Sequence, residues 1–210
     1  MTTLLYPAAR MSASADILND VLDRDCNLAI WTRQENTALE ALLTAPVEDV
    51  RFSAPLATLR ARLDGELDLA GYPETAERRT LIDDIVDLAA RYSAVMELEA
   101  VSVRLAIVTT DSCRKFHADY VKARLITTYV GTGTQWIDAE DTARVARAEE
   151  PQRVHTLGAG HVGLFKGKLS TEAPAIHRSP PIAGKGERRL MLVLDPVQLG
   201  RKRTALATIL

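Results

Sequence analysis

The sequence predicts an α+β protein in which the carboxyl-terminal half forms a double-stranded β-helix, or jelly-roll, with amino-terminal helices packed on its sheet. Two observations predict this class. Helical patterns prevail before residue 100, and a run of short strands separated by turns follows it. The chain has 210 residues, of which 47% are hydrophobic, and this is enough to bury one substantial core.

The first half is predicted to alternate short helices and strands before one long helix. The long helix spans residues 73–98, where Pro73 suits the first turn and apolar residues recur at helical spacing. This apolar stripe indicates a face that packs on the rest of the protein. The shorter elements are helices at Ala15–Leu22, 36–43 and 56–63 and strands at 27–33 and 50–53.

The second half is predicted to consist mainly of strands. The segment 101–110 is rich in β-branched residues, glycines at 131–133 and 184–186 mark turns, and the pair Pro180 and Pro181 excludes a helix. The predicted strands cover residues 101–110, 121–130, 134–137, 161–166 and 189–194.

The composition divides the chain into four segments. We expect a disordered amino terminus at 1–12, an α/β portion with the long helix at 13–100, a jelly-roll core with the candidate site at 101–200, and a basic tail at 201–210.

Charge and cysteine content limit the classes of partner. Lysine and arginine number 26 and aspartate and glutamate 28, so we expect neither nucleic acid nor a membrane as partner. No stretch has the length or composition of a signal peptide or a membrane span. Cys26 and Cys113 form no CxxC pair, which fits a reducing compartment. We therefore expect a cytoplasmic protein whose substrate, a small molecule or a protein, the sequence does not specify.

Three residues have the types and spacing of a metal site. His117 and Asp119 stand two apart just before a predicted strand, and alternate residues of an extended backbone project from one face. His177 opens the segment that leads into the last apolar strand and can supply a third ligand. Two imidazoles and one carboxylate leave coordination positions open for a cosubstrate and oxygen, as in non-haem Fe(II) oxygenases.

An arginine near the last strand can bind a carboxylate of a cosubstrate. Arg188 and Arg189 are adjacent, and a guanidinium binds a carboxylate through two parallel hydrogen bonds. Because side chains alternate along a strand, one of the two faces the interior, and the sequence leaves both candidates open.

Two other interpretations fit the same residues. Cys113 lies four residues before His117, so these two residues with Asp119 and His177 can form a closed zinc site that has no redox chemistry. As a free thiol outside such a site, Cys113 is expected to be buried. In the third interpretation the chain is a β-sandwich interaction domain with incidental histidines.

The segments around these residues resemble two known groups of proteins. FHADYVKARLITTYVGTGTQW and IHRSPPIAGKGERRLMLVLD are similar to the bacterial family catalogued as domain of unknown function 1826, which has no established activity. More distantly, the second half resembles the Fe(II)- and 2-oxoglutarate-dependent oxygenases of the prolyl-hydroxylase-like branch. The matching positions are His117, Asp119, Tyr129, 131–134, His177, Arg178, Pro181, Ile182, Gly186, Glu187 and Arg188, with one residue inserted in the second motif.

The oxygenase resemblance implies a double-stranded β-helix and a role for each matched residue. His117, Asp119 and His177 would bind Fe(II), Arg188 would bind the distal carboxylate of 2-oxoglutarate, and Tyr129 would hydrogen-bond to it. The implied reaction oxidises a C–H bond of the substrate while the keto acid is converted to succinate.

Overall fold

The computed structural model describes residues 8–197 as a mixed α/β fold with two β-sheets. The strands are β1 (Ala8–Ser12), β2 (Cys26–Trp31), β3 (Val50–Pro55), β4 (Ala100–Val108), β5 (Ala123–Val130), β6 (Gln135–Ile137), β7 (His155–Thr156), β8 (Val162–Lys166), β9 (Ile176–Arg178) and β10 (Arg189–Pro196). The α-helices are α1 (Leu59–Leu69), α2 (Ala76–Met96) and α3 (Ala139–Ala146), and 3-10 helices cover Ala15–Leu22, Thr37–Leu43 and Leu56–Thr58.

The larger sheet has seven strands in the order β1-β2-β8-β5-β10-β4-β3, and the smaller has three in the order β7-β6-β9. Neighbouring strands are antiparallel except β1 and β2, which are parallel. Strands from before and after residue 100 therefore belong to one sheet.

Side chains of the large sheet alternate between two separate apolar clusters. On one face, Leu125 and Leu192 belong to the same cluster as Leu81 and Ile85 of α2, and Tyr92 of this helix donates a 2.8 Å hydrogen bond to the carbonyl of residue 123. On the other face, Ile126, Phe165, Met191 and Val193 cluster with Trp136 and Leu157, which come from the small sheet and its loops. Any site between the two sheets is thus separated from α2 by the large sheet.

The long helix begins later and ends earlier than its apolar pattern predicts. Thr75 caps α2 by accepting a hydrogen bond from the backbone N–H of Arg78, so the first helical residue is Ala76. Glu97 has a left-handed backbone conformation, with φ of 54°, and ends the helix.

Several predictions about short segments need correction. Residues 8–12, predicted to be disordered, form β1, because they pair with β2 and because Arg10 makes ion pairs with Asp20, Asp23 and Asp25. The strands β7 and β9 and the helix α3 were not predicted. Residues 1–7 and the predicted basic tail at 201–210 lie outside the described residues.

Within residues 8–197, no helix combines the length and the apolar composition needed to cross a bilayer.

Candidate metal centre

The three predicted ligands come together in space. The ligand atoms of His117, Asp119 and His177 all lie within 4.8 Å of one another. His177 Nε2 is 3.2 Å from Asp119 Oδ2, and His117 Nε2 is 3.9 Å from Asp119 Oδ1. Two imidazole nitrogens and one carboxylate therefore point toward a common centre.

Backbone pairing brings the two histidines together although they are distant in sequence. The backbone N–H of each donates a 2.9 Å hydrogen bond to the carbonyl of the other, so residue 117 adds an isolated antiparallel bridge to β9. The ring of His177 also packs on Phe165 of β8, with centroids 4.7 Å apart. The small sheet thus holds His177 against the large sheet.

Both rings are oriented by hydrogen bonds at the nitrogen that faces away from Asp119. His117 Nδ1 is 2.8 Å from the carbonyl of Lys115, and His177 Nδ1 is 3.4 Å from the carbonyl of Ala175. Because a carbonyl oxygen only accepts hydrogen bonds, these contacts favour the tautomer with its proton on Nδ1. Both Nε2 lone pairs are then available to a metal, an arrangement common in histidine metal sites.

Asp119 is held by an arginine through one of its two oxygens. Arg124 Nη1 donates a 2.5 Å hydrogen bond to Asp119 Oδ1, and its other nitrogens bind Asp195 at 2.7 and 2.8 Å. Burial disfavours the ionised form of Asp119, but its close contact with His177 and the positive charge of Arg124 outweigh this effect and lower its pKa. The carboxylate is therefore ionised at neutral pH.

The second carboxylate oxygen of Asp119, Oδ2, is placed where it could bind a cation. Oδ2 is buried and receives no hydrogen bond from the described residues. With His177 neutral, two lone pairs face each other across 3.2 Å, which is unfavourable unless a proton or a metal lies between them. Metal bonds of about 2.0–2.2 Å would satisfy both atoms. The donor set suits Fe(II), and the residues present fit such an ion.

An open cavity of about 60 Å³ adjoins the two histidines. Part of its wall is apolar because Ile126, Met191 and Val193 line it. A metal at this position would therefore have coordination sites directed toward a space that can admit small molecules.

Cys113 is exposed, which corrects the prediction of a buried thiol. It lies in a turn with a left-handed backbone, at φ of 59°, and its carbonyl accepts a hydrogen bond from Ser179 N–H. Cys113 lines the cavity, but it is absent from the ligand group found within residues 8–197. The geometry does not provide the closed four-ligand zinc site that was the alternative interpretation.

Replacing Cys113 by serine is expected to leave metal affinity unchanged within about twofold, because the three ligands remain intact. Titration of the metal-free wild-type and Cys113→Ser proteins with Zn(II) and with Fe(II) measures the two affinities. A loss of tenfold or more would show that the thiol is a ligand.

The two adjacent arginines face opposite sides of the large sheet. Arg188 is exposed and donates a hydrogen bond to the carbonyl of Leu43, on the side of α2. Arg189 is fully buried, donates to the carbonyl of Thr132, and has Nη2 3.8 Å from Met191 Sδ, which places it on the cavity side. Of the two candidates, Arg189 and not Arg188 thus lies on the side of the sheet that carries the candidate ligands.

Arg189 has an unused hydrogen-bond donor. Its Nη1 is buried and has no partner among the described residues. Burial lowers the pKa of this guanidinium to about 10, although the charge of Glu187 opposes the change. An anionic ligand would both satisfy Nη1 and favour the charged form.

The proposed role of Tyr129 in cosubstrate binding is not supported by its position. Its side chain lies in the cluster on the α2 side, and its hydroxyl donates a 2.8 Å hydrogen bond to Asp84 of α2. Arg33 also binds Asp84, at 2.6 Å. Burial and the Asp84 charge raise the pKa of Tyr129, so it stays protonated as a donor. Tyr129 therefore links the large sheet to α2.

Replacing Tyr129 by phenylalanine is expected to lower the free energy of unfolding by about 1.5–3 kcal/mol, since a buried hydrogen bond to a charged group is lost. Metal and keto-acid affinity should not change. Denaturant unfolding and ligand titration of the same preparation check both statements, and a selective loss of keto-acid affinity would contradict them.

Some site residues were not found from the sequence. Arg124 holds Asp119, and Asp195 in turn holds Arg124. Asp195 is far along the chain, so only the position of Arg124 on the strand after Asp119 could have suggested this pairing.

His155 and His161 were left out of the predicted site, and both lie away from the three candidate ligands. His155 stacks on Trp136 at 4.1 Å, and His161 Nδ1 accepts from the N–H of Gly158.

The fold and this donor set define a mixed α/β protein with a candidate two-histidine, one-carboxylate metal centre. The chain belongs to the family described as Protein of unknown function (DUF1826), which matches residues 12–195. This match confirms the resemblance to that family seen in the sequence. No curated protein matches the chain in sequence.

The solved structures that match this chain are only distantly related to it in sequence. A Pseudomonas putida prolyl-4-hydroxylase is 14% identical, with a TM-score of 0.47, over 88% of this chain and 98% of that chain. A Neurospora crassa protein, solved in complex with alpha-KG and 5-formyluracil, is 11% identical, with a TM-score of 0.38, over 72% of this chain and 58% of that chain. AviO1 from Streptomyces viridochromogenes is 14% identical, with a TM-score of 0.35, over 78% of this chain and 95% of that chain. Similarities of this size assign no function.

Proposed function

We propose that this protein is a non-haem Fe(II)- and 2-oxoglutarate-dependent oxygenase that oxidises a C–H bond of its substrate. The observation that carries the proposal is the convergence of His117 Nε2, His177 Nε2 and the donor-free Oδ2 of Asp119 beside a cavity. These three donors would hold a metal and leave coordination positions for a cosubstrate and oxygen, which is the ligand set that non-haem oxygen-activating iron enzymes use.

Each protein group has a separate task in this proposal. His117, Asp119 and His177 would hold Fe(II), and Arg189 would bind the distal carboxylate of 2-oxoglutarate. Bound together, Fe(II) and the keto acid supply oxygen activation coupled to decarboxylation of the keto acid to succinate. Arg124 fixes Asp119 Oδ1 and so leaves Oδ2 directed at the histidines.

The cavity walls supply orientation and limit access of water. Ile126, Met191 and Val193 are nearly inaccessible to solvent. The ring of Phe165 packs against the ring of His177. A water-poor site strengthens the hold of Arg189 on an anion, because the interaction is not screened. It also protects reactive species from side reactions.

The proposal includes the double-stranded β-helix expected from the sequence. The candidate ligands and Arg189 all lie on the face of the large sheet that the small sheet covers, as judged from the contacts of His177 and Met191. A site enclosed between two facing sheets is the placement that this architecture provides.

Zn(II) is the alternative metal, since histidine and carboxylate ligands also bind it. A zinc protein without redox chemistry has no use for an unpaired buried arginine on the side of the large sheet that carries the site. The Nη1 donor of Arg189, which has no acceptor among the described residues, therefore favours the keto-acid enzyme.

Succinate formation tests the proposal. Metal-free protein is supplied with Fe(II), 2-oxoglutarate, ascorbate and oxygen, and succinate is measured with Zn(II) in place of Fe(II) as the control. We expect slow turnover with Fe(II) even without substrate, none with Zn(II), and none in His177→Ala. Tight Zn(II) binding with no iron-dependent succinate would support the zinc alternative.

A further inference from the structure

Arg124 lies between two carboxylates, of which only one belongs to the candidate metal ligands. Its Nη1 donates a 2.5 Å hydrogen bond to Asp119 Oδ1, while Nε and Nη2 donate to the two carboxylate oxygens of Asp195 at 2.7 and 2.8 Å. Asp195 is outside the ligand group, and Arg124 is its only ion-pair partner in the described chain. The proposed function gives tasks to Asp119 and Arg124 and leaves Asp195 without one.

The large sheet fixes Arg124 and Asp195 in adjacent positions. Strands β5 and β10 are antiparallel, and continuing their register by one residue places Arg124 opposite Asp195. On its other side, Arg124 is opposite Phe165 of β8, whose ring packs against the ring of His177. Asp195, Arg124 and Phe165 therefore form one row on the face of the sheet that carries the site, and this row contacts two of the three candidate ligands.

The candidate metal centre has little negative charge around it. Asp119 is the only anionic residue of the ligand group. Arg104 and Arg124 line the adjoining cavity, and none of the described residues that line it is an aspartate or a glutamate. A divalent ion at this position would therefore lie near guanidinium groups, which stay charged in proteins, with a single carboxylate as ligand.

Arg124 is close enough to affect a metal at this centre. A metal bound to Asp119 Oδ2 would lie within about 7 Å of Arg124 Nη1, because the hydrogen bond to Oδ1 is 2.5 Å and a metal–oxygen bond is about 2.1 Å. Charges at this separation are only partly screened by physiological salt, whose screening length is about 8 Å. The charge of Arg124 therefore disfavours metal binding unless a second carboxylate offsets it.

We propose that Asp195 sets the metal affinity of the site by neutralising Arg124, although it is not itself a ligand. This inference rests on the metal centre of the proposed function and adds a charge-compensating residue to it. With Asp195 in place, Arg124 can hold Oδ1 of Asp119 without adding a net positive charge beside the metal. Asp195 is thus a positioning residue that acts on Asp119 through Arg124.

Metal affinity tests this inference without depending on turnover. Zn(II) and, under anaerobic conditions, Fe(II) are titrated into metal-free protein in competition with a chromophoric chelator. We expect Asp195→Asn to weaken the binding of both metals by about tenfold or more, the size of effect seen for residues that support metal ligands. Asp195→Glu keeps the charge and should stay within about threefold of the wild type.

A double variant separates the charge of the ion pair from its packing. Relative to the wild type, Asp195→Asn adds one positive charge beside the metal, Arg124→Gln removes one, and the double variant leaves the net charge unchanged. We therefore expect Arg124→Gln to bind metal most tightly of the three, the double variant less tightly, and Asp195→Asn least tightly. An ion pair that only held the local structure would instead give three equal losses, and that result would overturn the inference.

A matched control uses an arginine ion pair on the other side of the large sheet. Asp84→Asn leaves Arg33 without its carboxylate and should not change metal affinity. If Asp195→Asn fails to fold, Arg124→Gln and the double variant still measure the charge of Asp195, and equal affinity in these two would overturn the inference. A wild-type protein that binds neither metal would overturn the metal centre as well, whereas metal binding with the wrong ranking of variants overturns this inference alone.

Discussion

Replacing Asp119 by alanine is expected to weaken Fe(II) binding at least about 100-fold and to abolish iron-dependent turnover of 2-oxoglutarate. The substitution removes the only anionic ligand of the three and leaves two neutral imidazoles. Changes to groups that merely support metal ligands already cost about 10–100-fold in affinity, so loss of a ligand itself should cost more. Fe(II) affinity is measured by anaerobic titration, and turnover by succinate formation.

Asp195 offers a matched control for this experiment. Like Asp119 it binds Arg124, but it is not a member of the ligand group. Asp195→Ala removes the same charge from the same arginine, and we expect it to weaken Fe(II) binding by less than Asp119→Ala does. If the two variants lose equal affinity, or if Asp195→Ala loses more, Asp119 is not a ligand and the metal assignment is wrong.

Replacing Arg189 by methionine is expected to raise the dissociation constant of 2-oxoglutarate by a factor of about 30 or more. Truncating one partner of a buried charged hydrogen-bonded pair costs about 2–5 kcal/mol, and each 1.4 kcal/mol corresponds to tenfold in affinity. Fe(II) binding should not change, because Arg189 contacts none of the three ligands in the described residues. Titration of the Fe(II)-loaded protein with 2-oxoglutarate gives the constant.

The same substitution should stabilise the protein when no keto acid is present. Arg189 is fully buried, has an unpartnered Nη1 and has a pKa lowered to about 10, so its charge is a net cost in the empty site. Replacing a buried charge by an apolar residue of similar size commonly stabilises by about 1–4 kcal/mol. Arg188→Met, on the exposed side, should alter neither 2-oxoglutarate affinity nor stability appreciably. Loss of keto-acid affinity in Arg188→Met but not in Arg189→Met would reverse the assignment.

Elements with a local cause could be predicted from the sequence. The strands β2, β4, β5, β8 and β10 lie within two residues of their predicted bounds, because β-branched runs between turn residues identify strands. The grouping of His117 and Asp119 followed from alternation along an extended backbone. The participation of His177 was a less direct inference, and its physical cause is the backbone bridge to His117.

Features that depend on distant pairing were missed or misassigned. The choice between Arg188 and Arg189 depends on which face of β10 each residue occupies, and the sequence does not say which face covers the site. Tyr129 occupies a strand position that matches the oxygenase motif, yet its side chain faces α2. The strand β1 depends on contacts with β2 and with three aspartates 10–15 residues further along the chain, which the residues of β1 alone do not reveal.

The most direct test of the central claim is an anaerobic titration of metal-free protein with Fe(II) followed by 2-oxoglutarate, monitored in the visible range. A keto acid chelated to iron in an open three-ligand site gives a weak charge-transfer band. We predict this band in the wild-type protein, its loss in His177→Ala, and its persistence in Cys113→Ser. Tight Zn(II) binding that Fe(II) cannot displace, with no band at any keto-acid concentration, would contradict the assignment of this site as an oxygenase centre.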